Sequence, residues 1–70
     1  MLTKEMEFFI FLLEQYACYK NRPTSEVLKE WNEHKIAKEI YDNYLTYHQE
    51  ALENAYDDID SLLLTGKHIY

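Results

Sequence analysis

The chain has 70 residues, a net charge of −6 from seven Lys or Arg against thirteen Asp or Glu, and 16% aromatic side chains. This length holds one domain, residues 1–70, and the negative balance disfavours nucleic acid and anionic membranes, whose phosphates repel it. A single cysteine, Cys18, leaves no intramolecular disulfide and no Cys-rich zinc site, and fits a reducing compartment.

A chain this short buries only about 60% of its unfolded surface, so its core is marginal unless its side chains are large. Seven Tyr, three Phe and one Trp supply that bulk, while one Gly and one Pro argue against a loop-rich, disordered or all-β chain. Charge is uneven. Residues 1–35 carry five basic and six acidic groups, and residues 36–70 carry two and seven. An acidic rear half suits a basic protein partner as well as a plain solvated surface.

The first element is organised on Phe8-Phe9-Ile10-Phe11-Leu12-Leu13, flanked by Glu5, Glu7 and Glu14. Six apolar residues are too few to span a bilayer, and a secretory signal needs about 7–15 after a basic start. Acids precede this run, and Tyr16-Ala17-Cys18-Tyr19 is a poor cleavage site, so a cytoplasmic protein is expected. Thr3 is placed as the N-cap of a helix reaching about Lys20. Met6, Phe9, Ile10, Leu13, Tyr16 and Ala17 follow the i, i+3, i+4, i+7 spacing of a core stripe, widened by Phe8, Leu12 and Tyr19. The opposite face reads Lys4, Glu7, Phe11, Glu14, Cys18. Phe11 between Glu7 and Glu14 is the candidate partner contact.

Asn21-Arg22-Pro23 breaks this helix, and Thr24 is expected to cap the second, with Glu26 near its positive end. Val27, Leu28 and Trp31 form its apolar face, with Trp31 anchoring the core. No glycine is available to end it, so Asn32 or His34 is expected in the left-handed capping position. A third helix spans Ile36 to His48, with Ile36, Ala37, Ile40, Tyr41, Tyr44, Leu45 and His48 at helical spacing. Tyr44, His48 and Trp31 form the expected structural polar core. Gln49-Glu50 reads as a turn or kink. A fourth segment aligns Leu52, Ala55, Tyr56, Ile59, Leu62 and Leu63, turns Glu53, Asp57, Asp58 and Asp60 outward, and stops at Gly66. The tail Lys67-His68-Ile69-Tyr70 either frays or packs Ile69 and Tyr70 on the body. The fold class is therefore all-α, a compact bundle of three to four short helices with the N-terminal one central.

No residue pattern for catalysis stands out. Glu30 and His34 share a helix face at i, i+4, but a metal site needs three or four convergent ligands. Asp57-Asp58-x-Asp60 lacks the glycine and distal glutamate of a calcium loop. Cys18 has neither a nearby histidine nor a helix N-terminus, and no phosphate loop or nucleophile motif occurs. No catalytic residue, metal or cofactor is therefore assigned, no small-molecule substrate is expected, and the chain is read as a non-enzyme. The second and third helices also admit an acidic helix-turn-helix regulator, although Ile36 to His48 holds no Arg and mixes Lys38 with Glu39 and Asp42.

Tyr16-Ala17, Glu26-Val27, Trp31, Ile40, Tyr44, Tyr47-His48 and Asp58-Ile59, in that order, make the chain resemble the short bacterial family catalogued as domain of unknown function 3791. The family has a Glu-x-Tyr-Ala-like end to its first helix, a Glu-Val helix closing on an aromatic, a Tyr-x-x-Leu-His segment and a late Asp-Ile pair. Tyr47 stands here where Leu is usual, and Lys35 where the family often has glycine. The resemblance implies a small helical bacterial protein, encoded in some cases beside ADP-ribosyltransferase-like proteins, and hence an accessory or neutralising partner. A protein-interaction module, a homodimer included, is the leading reading.

Overall fold

Thr3 does cap the first helix. In the computed structural model, which describes residues 2–69, Thr3 is extended and its Oγ1 accepts the Met6 N–H at 3.1 Å. Helix α1 then runs Lys4–Tyr19, with Glu5 and Glu7 at its positive end. It stops through Asn21, whose φ of 55° is left-handed. There the Asn21 N–H donates to the Cys18 carbonyl at 3.0 Å and the Arg22 N–H to the Ala17 carbonyl at 2.9 Å, satisfying two orphan acceptors. Asparagine tolerates that backbone better than most residues.

Helix α2 spans Thr24–Glu33, and its cap is not Thr24 but Pro23. Proline is held at φ −62°, ψ 140°, so the chain enters the helix one residue earlier than expected, and the Pro23 carbonyl accepts from Val27 N–H at 3.2 Å. The exit also differs from expectation. His34 stays right-handed, and Lys35 takes the left-handed position at φ 59°. Trp31 and Ile36 explain the choice. Both are core residues, and the Ile36 N–H donates to the Trp31 carbonyl at 2.9 Å, which leaves Lys35 as the residue that must turn.

The third expected helix is two. Helix α3 covers Ala37–Asp42 and α4 covers Tyr44–Tyr47, separated by Asn43 at φ −88°, ψ 20°. The Asn43 N–H is shared between the Glu39 and Ile40 carbonyls, and the change in ψ rotates everything beyond it. Tyr47 is thereby buried, Tyr44 only partly so, and Leu45 is left 70% exposed. A turn through Gln49 and Glu50 leads to α5, Leu52–Thr65, which ends at Gly66 with φ 77°. No strand occurs among the described residues, and the fold is all-α.

The core gathers Leu12, Leu13, Tyr16 and Ala17 of α1 against Val27 and Trp31 of α2, Ile40 of α3, Tyr47 of α4 and Ile59 of α5. Helix α1 packs on α2, α3 and α4, and reaches α5 through side chains: the Tyr16 hydroxyl donates to Asp60 at 2.6 Å, and Tyr19 stacks on Tyr56 at 4.6 Å. Burial is concentrated in the second half of α1. Ile10, expected in the core stripe, is 38% exposed, and Tyr19, expected to widen that stripe, is 59% exposed.

Candidate functional site

Phe11 projects from α1 at 45% exposure, and it does not stand alone. Its ring lies 6.2 Å from Phe8, which meets Tyr44 edge-on at 5.6 Å and His48 at 6.3 Å. Tyr44 and His48 stack at 4.3 Å with 2° between planes, and His48 Nδ1–H donates to the Tyr44 carbonyl at 2.8 Å. These four rings form a rim where α1 meets α4, Phe8 meeting Tyr44 and His48 edge-on while those two stack face to face, so the rings support one another in a way that isolated exposed aromatics do not. Glu7 and Glu14, one turn before and after Phe11, are exposed on the same side and form no ion pair among the described residues. Beyond Tyr44, the residues Leu45, Tyr41, Glu5 and Asp42 line a shallow groove of about 330 Å³.

His48 therefore corrects the expected polar core. It is exposed, and Tyr44 is half-buried, because the break at Asn43 swings both from the interior to the rim. Trp31 is fully buried as expected, between Phe9 at 5.8 Å and Tyr16 at 5.6 Å, with no hydrogen-bond partner for its Nε1 among the described residues.

Among the described residues the buried charged side chain is Asp58. It was expected to face outward with Asp57 and Asp60. Its carboxylate instead accepts from the Tyr47 hydroxyl, from His68 Nδ1 at 2.6 Å and from the Ile69 N–H at 2.6 Å. Burial pushes the carboxyl up, but these donors and the nearby His68 charge outweigh it and hold Asp58 below the usual range. Spacing could have revealed this placement, since Asp58 follows Ala55 by three residues and precedes Leu62 by four, both buried. Asp60 is partnered too, by Tyr16 and by Lys20 at 2.9 Å, and among the three acids Asp57 alone is exposed. Burial first, then the Asp60 carboxylate, pushes the Tyr16 phenol up.

His68 carries the contact outward. Its Nε2 lies 3.2 Å from Glu39 Oε2, and its pKa is raised by the bond to Asp58, against partial burial, with Glu39 adding to the rise. Of the two outcomes expected for the tail, fraying or packing on the body, residues 67–69 take the second, through the His68 ring and the Ile69 N–H. Ile69 itself is 56% exposed and held by its backbone, and Tyr70 lies outside the described residues. A buried carboxylate orienting an imidazole can prepare a general base. Here the outer nitrogen is already engaged by Glu39. The Glu30–His34 pair does not converge either: Glu30 accepts from Arg22 at 2.8 Å and His34 is exposed. Cys18 is free and exposed, and no group of three or more metal-ligating side chains occurs among the described residues.

What these features define is a small all-α fold with an aromatic rim outside and one carboxylate network within. The family model "Protein of unknown function (DUF3791)" matches residues 7–65, nearly the whole chain, and the chain belongs to that family. No curated protein and no solved structure matches it. No helix among the described residues is long and apolar enough to cross a membrane.

Proposed function

We propose that this is a non-enzymatic protein-interaction module that docks a partner on the rim of Phe11, Phe8, Tyr44 and His48. The observation that carries this reading is that contiguous rim, bordered by the unpaired carboxylates of Glu7 and Glu14. A partner segment with an apolar anchor and flanking Lys or Arg matches it in chemistry, since aromatic anchors dominate interface energetics and peripheral charge sets orientation and encounter rate. The family resemblance points to an ADP-ribosyltransferase-like neighbour as the first partner to test. An accessory or neutralising role is proposed for the module, and it requires no cofactor, no nucleic acid and no bound small molecule.

Self-association is the alternative use of the same face. A two-fold interface there brings Glu7 and Glu14 toward their own copies, and that repulsion favours the hetero-partner. A helix-turn-helix regulator is less well supported, because the candidate recognition segment is divided at Asn43 and its Lys38 pairs with Asp42 at 2.6 Å. Calorimetric titration of the neighbour's product into the wild-type chain and into Phe11→Ala tests the proposal. Binding weakened at least about tenfold in the variant supports it. Binding unaffected by Phe11→Ala, or no binding together with a strict monomer in sedimentation, overturns it.

A further inference from the structure

The segment after Gly66 turns back over α5. Ser61 Oγ donates to the Lys67 carbonyl at 2.7 Å, the Ile69 N–H reaches Asp58 at 2.6 Å, and the His68 ring sits between Asp58 and Glu39. Two carboxylates thus face one imidazole. An ionised carboxylate only accepts hydrogen bonds, so both contacts are bonds only while both ring nitrogens carry protons. A neutral ring serves one carboxylate and presents a lone pair to the other. The groups facing this ring are Asp58 from α5 and Glu39 from α3, with Tyr47 of α4 behind Asp58.

We propose that residues Lys67–Ile69 are a proton-operated strap, closed by the His68 imidazolium between Asp58 and Glu39 and loosened when that ring becomes neutral. The proton that leaves is the one on Nε2, passed to solvent beside Glu39, which is 61% exposed; the Nδ1 proton stays against buried Asp58. Opening of the strap uncovers the Asp58 carboxylate and the Tyr47 hydroxyl, an anionic socket that the chain otherwise fills with its own His68 and Ile69. His68 titrates above its ordinary 6.5, the direction the closed form requires. Below 6.5 the ring is charged whether strapped or free, and the strap holds fully. Its hold weakens as pH rises through the closed-state pKa. The strap and the aromatic rim use different residues, and each stands without the other.

NMR titration of the three histidines, with hydrogen exchange at the Ile69 amide, tests this on the full chain. His68 should titrate above its ordinary 6.5, and Glu39→Gln should lower it. Ile69 protection, corrected for intrinsic exchange, should fall with rising pH, by about tenfold for each unit separating closed and open pKa values. His68→Gln should abolish that dependence while Ile59 stays protected. Should His68→Gln lose Ile59 protection as well, the exposed Glu39→Gln change carries the test. A His68 that titrates at or below 6.5, or an Ile69 amide whose protection is flat across the titration, overturns the strap.

Discussion

Tyr47 and Asp58, eleven residues apart, meet inside the molecule, the phenolic hydroxyl donating to a carboxylate that has no exposed surface. The contact ties α4 to α5 and gives a four-residue helix a reason to exist. Removing the donor leaves a buried charge short of one bond. Tyr47→Phe should therefore cost about 1–3 kcal/mol, the usual penalty for an unsatisfied buried acceptor. Urea unfolding followed by circular dichroism measures it, and an unchanged midpoint would mean that the bond contributes nothing net.

Asp58 also sets the acid limit of the fold. Its carboxyl is held below its ordinary 3.8, so the stability it contributes is complete above 3.8 and is lost as pH falls through the folded-state pKa. Asp58→Asn should flatten that acid limb while lowering stability at neutral pH. The check is the urea midpoint of both proteins from pH 7 downward; parallel curves would assign acid unfolding to other groups.

Lys35 holds a left-handed backbone at φ 59° without being glycine. Such a conformation costs a residue with a Cβ on the order of 1 kcal/mol, and the added freedom of an unfolded glycine cancels part of the gain. Lys35→Gly should stabilise the chain by about 0.5 kcal/mol or less, read as a small rise in the urea midpoint.

Leu13 and Phe11 lie two residues apart on α1 and should behave oppositely. Leu13 is 5% exposed, and truncation to alanine should cost about 2–5 kcal/mol, enough to threaten a domain this small. Phe11→Ala removes a half-exposed ring and should shift the midpoint little. Equal losses in thermal melts of the two variants would place Phe11 in the core instead of on a docking surface.

The content of the helices, and much of their packing, was legible in residue order. The 3.6-residue spacing of Leu13, Tyr16 and Ala17, the Thr3 cap, the break at Pro23 and the stop at Gly66 are local events, decided by neighbours a few residues away. Ile10 was misplaced because periodicity states which way a side chain points and not whether anything lies over it.

Sequence alone determined an all-α chain, its first and last helices nearly to the residue, and an exposed Phe11, because backbone hydrogen bonding and apolar spacing act over short range. Tertiary packing decided the rest. The turn of ψ at Asn43 to 20°, well away from the helical value, sent His48 outward and Tyr47 inward, and the docking of His68 and Ile69 brought donors onto Asp58 inside the fold. An acidic side chain is tolerated inside only where donors converge on it, and here those donors come from α4 and from the segment beyond Gly66, brought together by the fold.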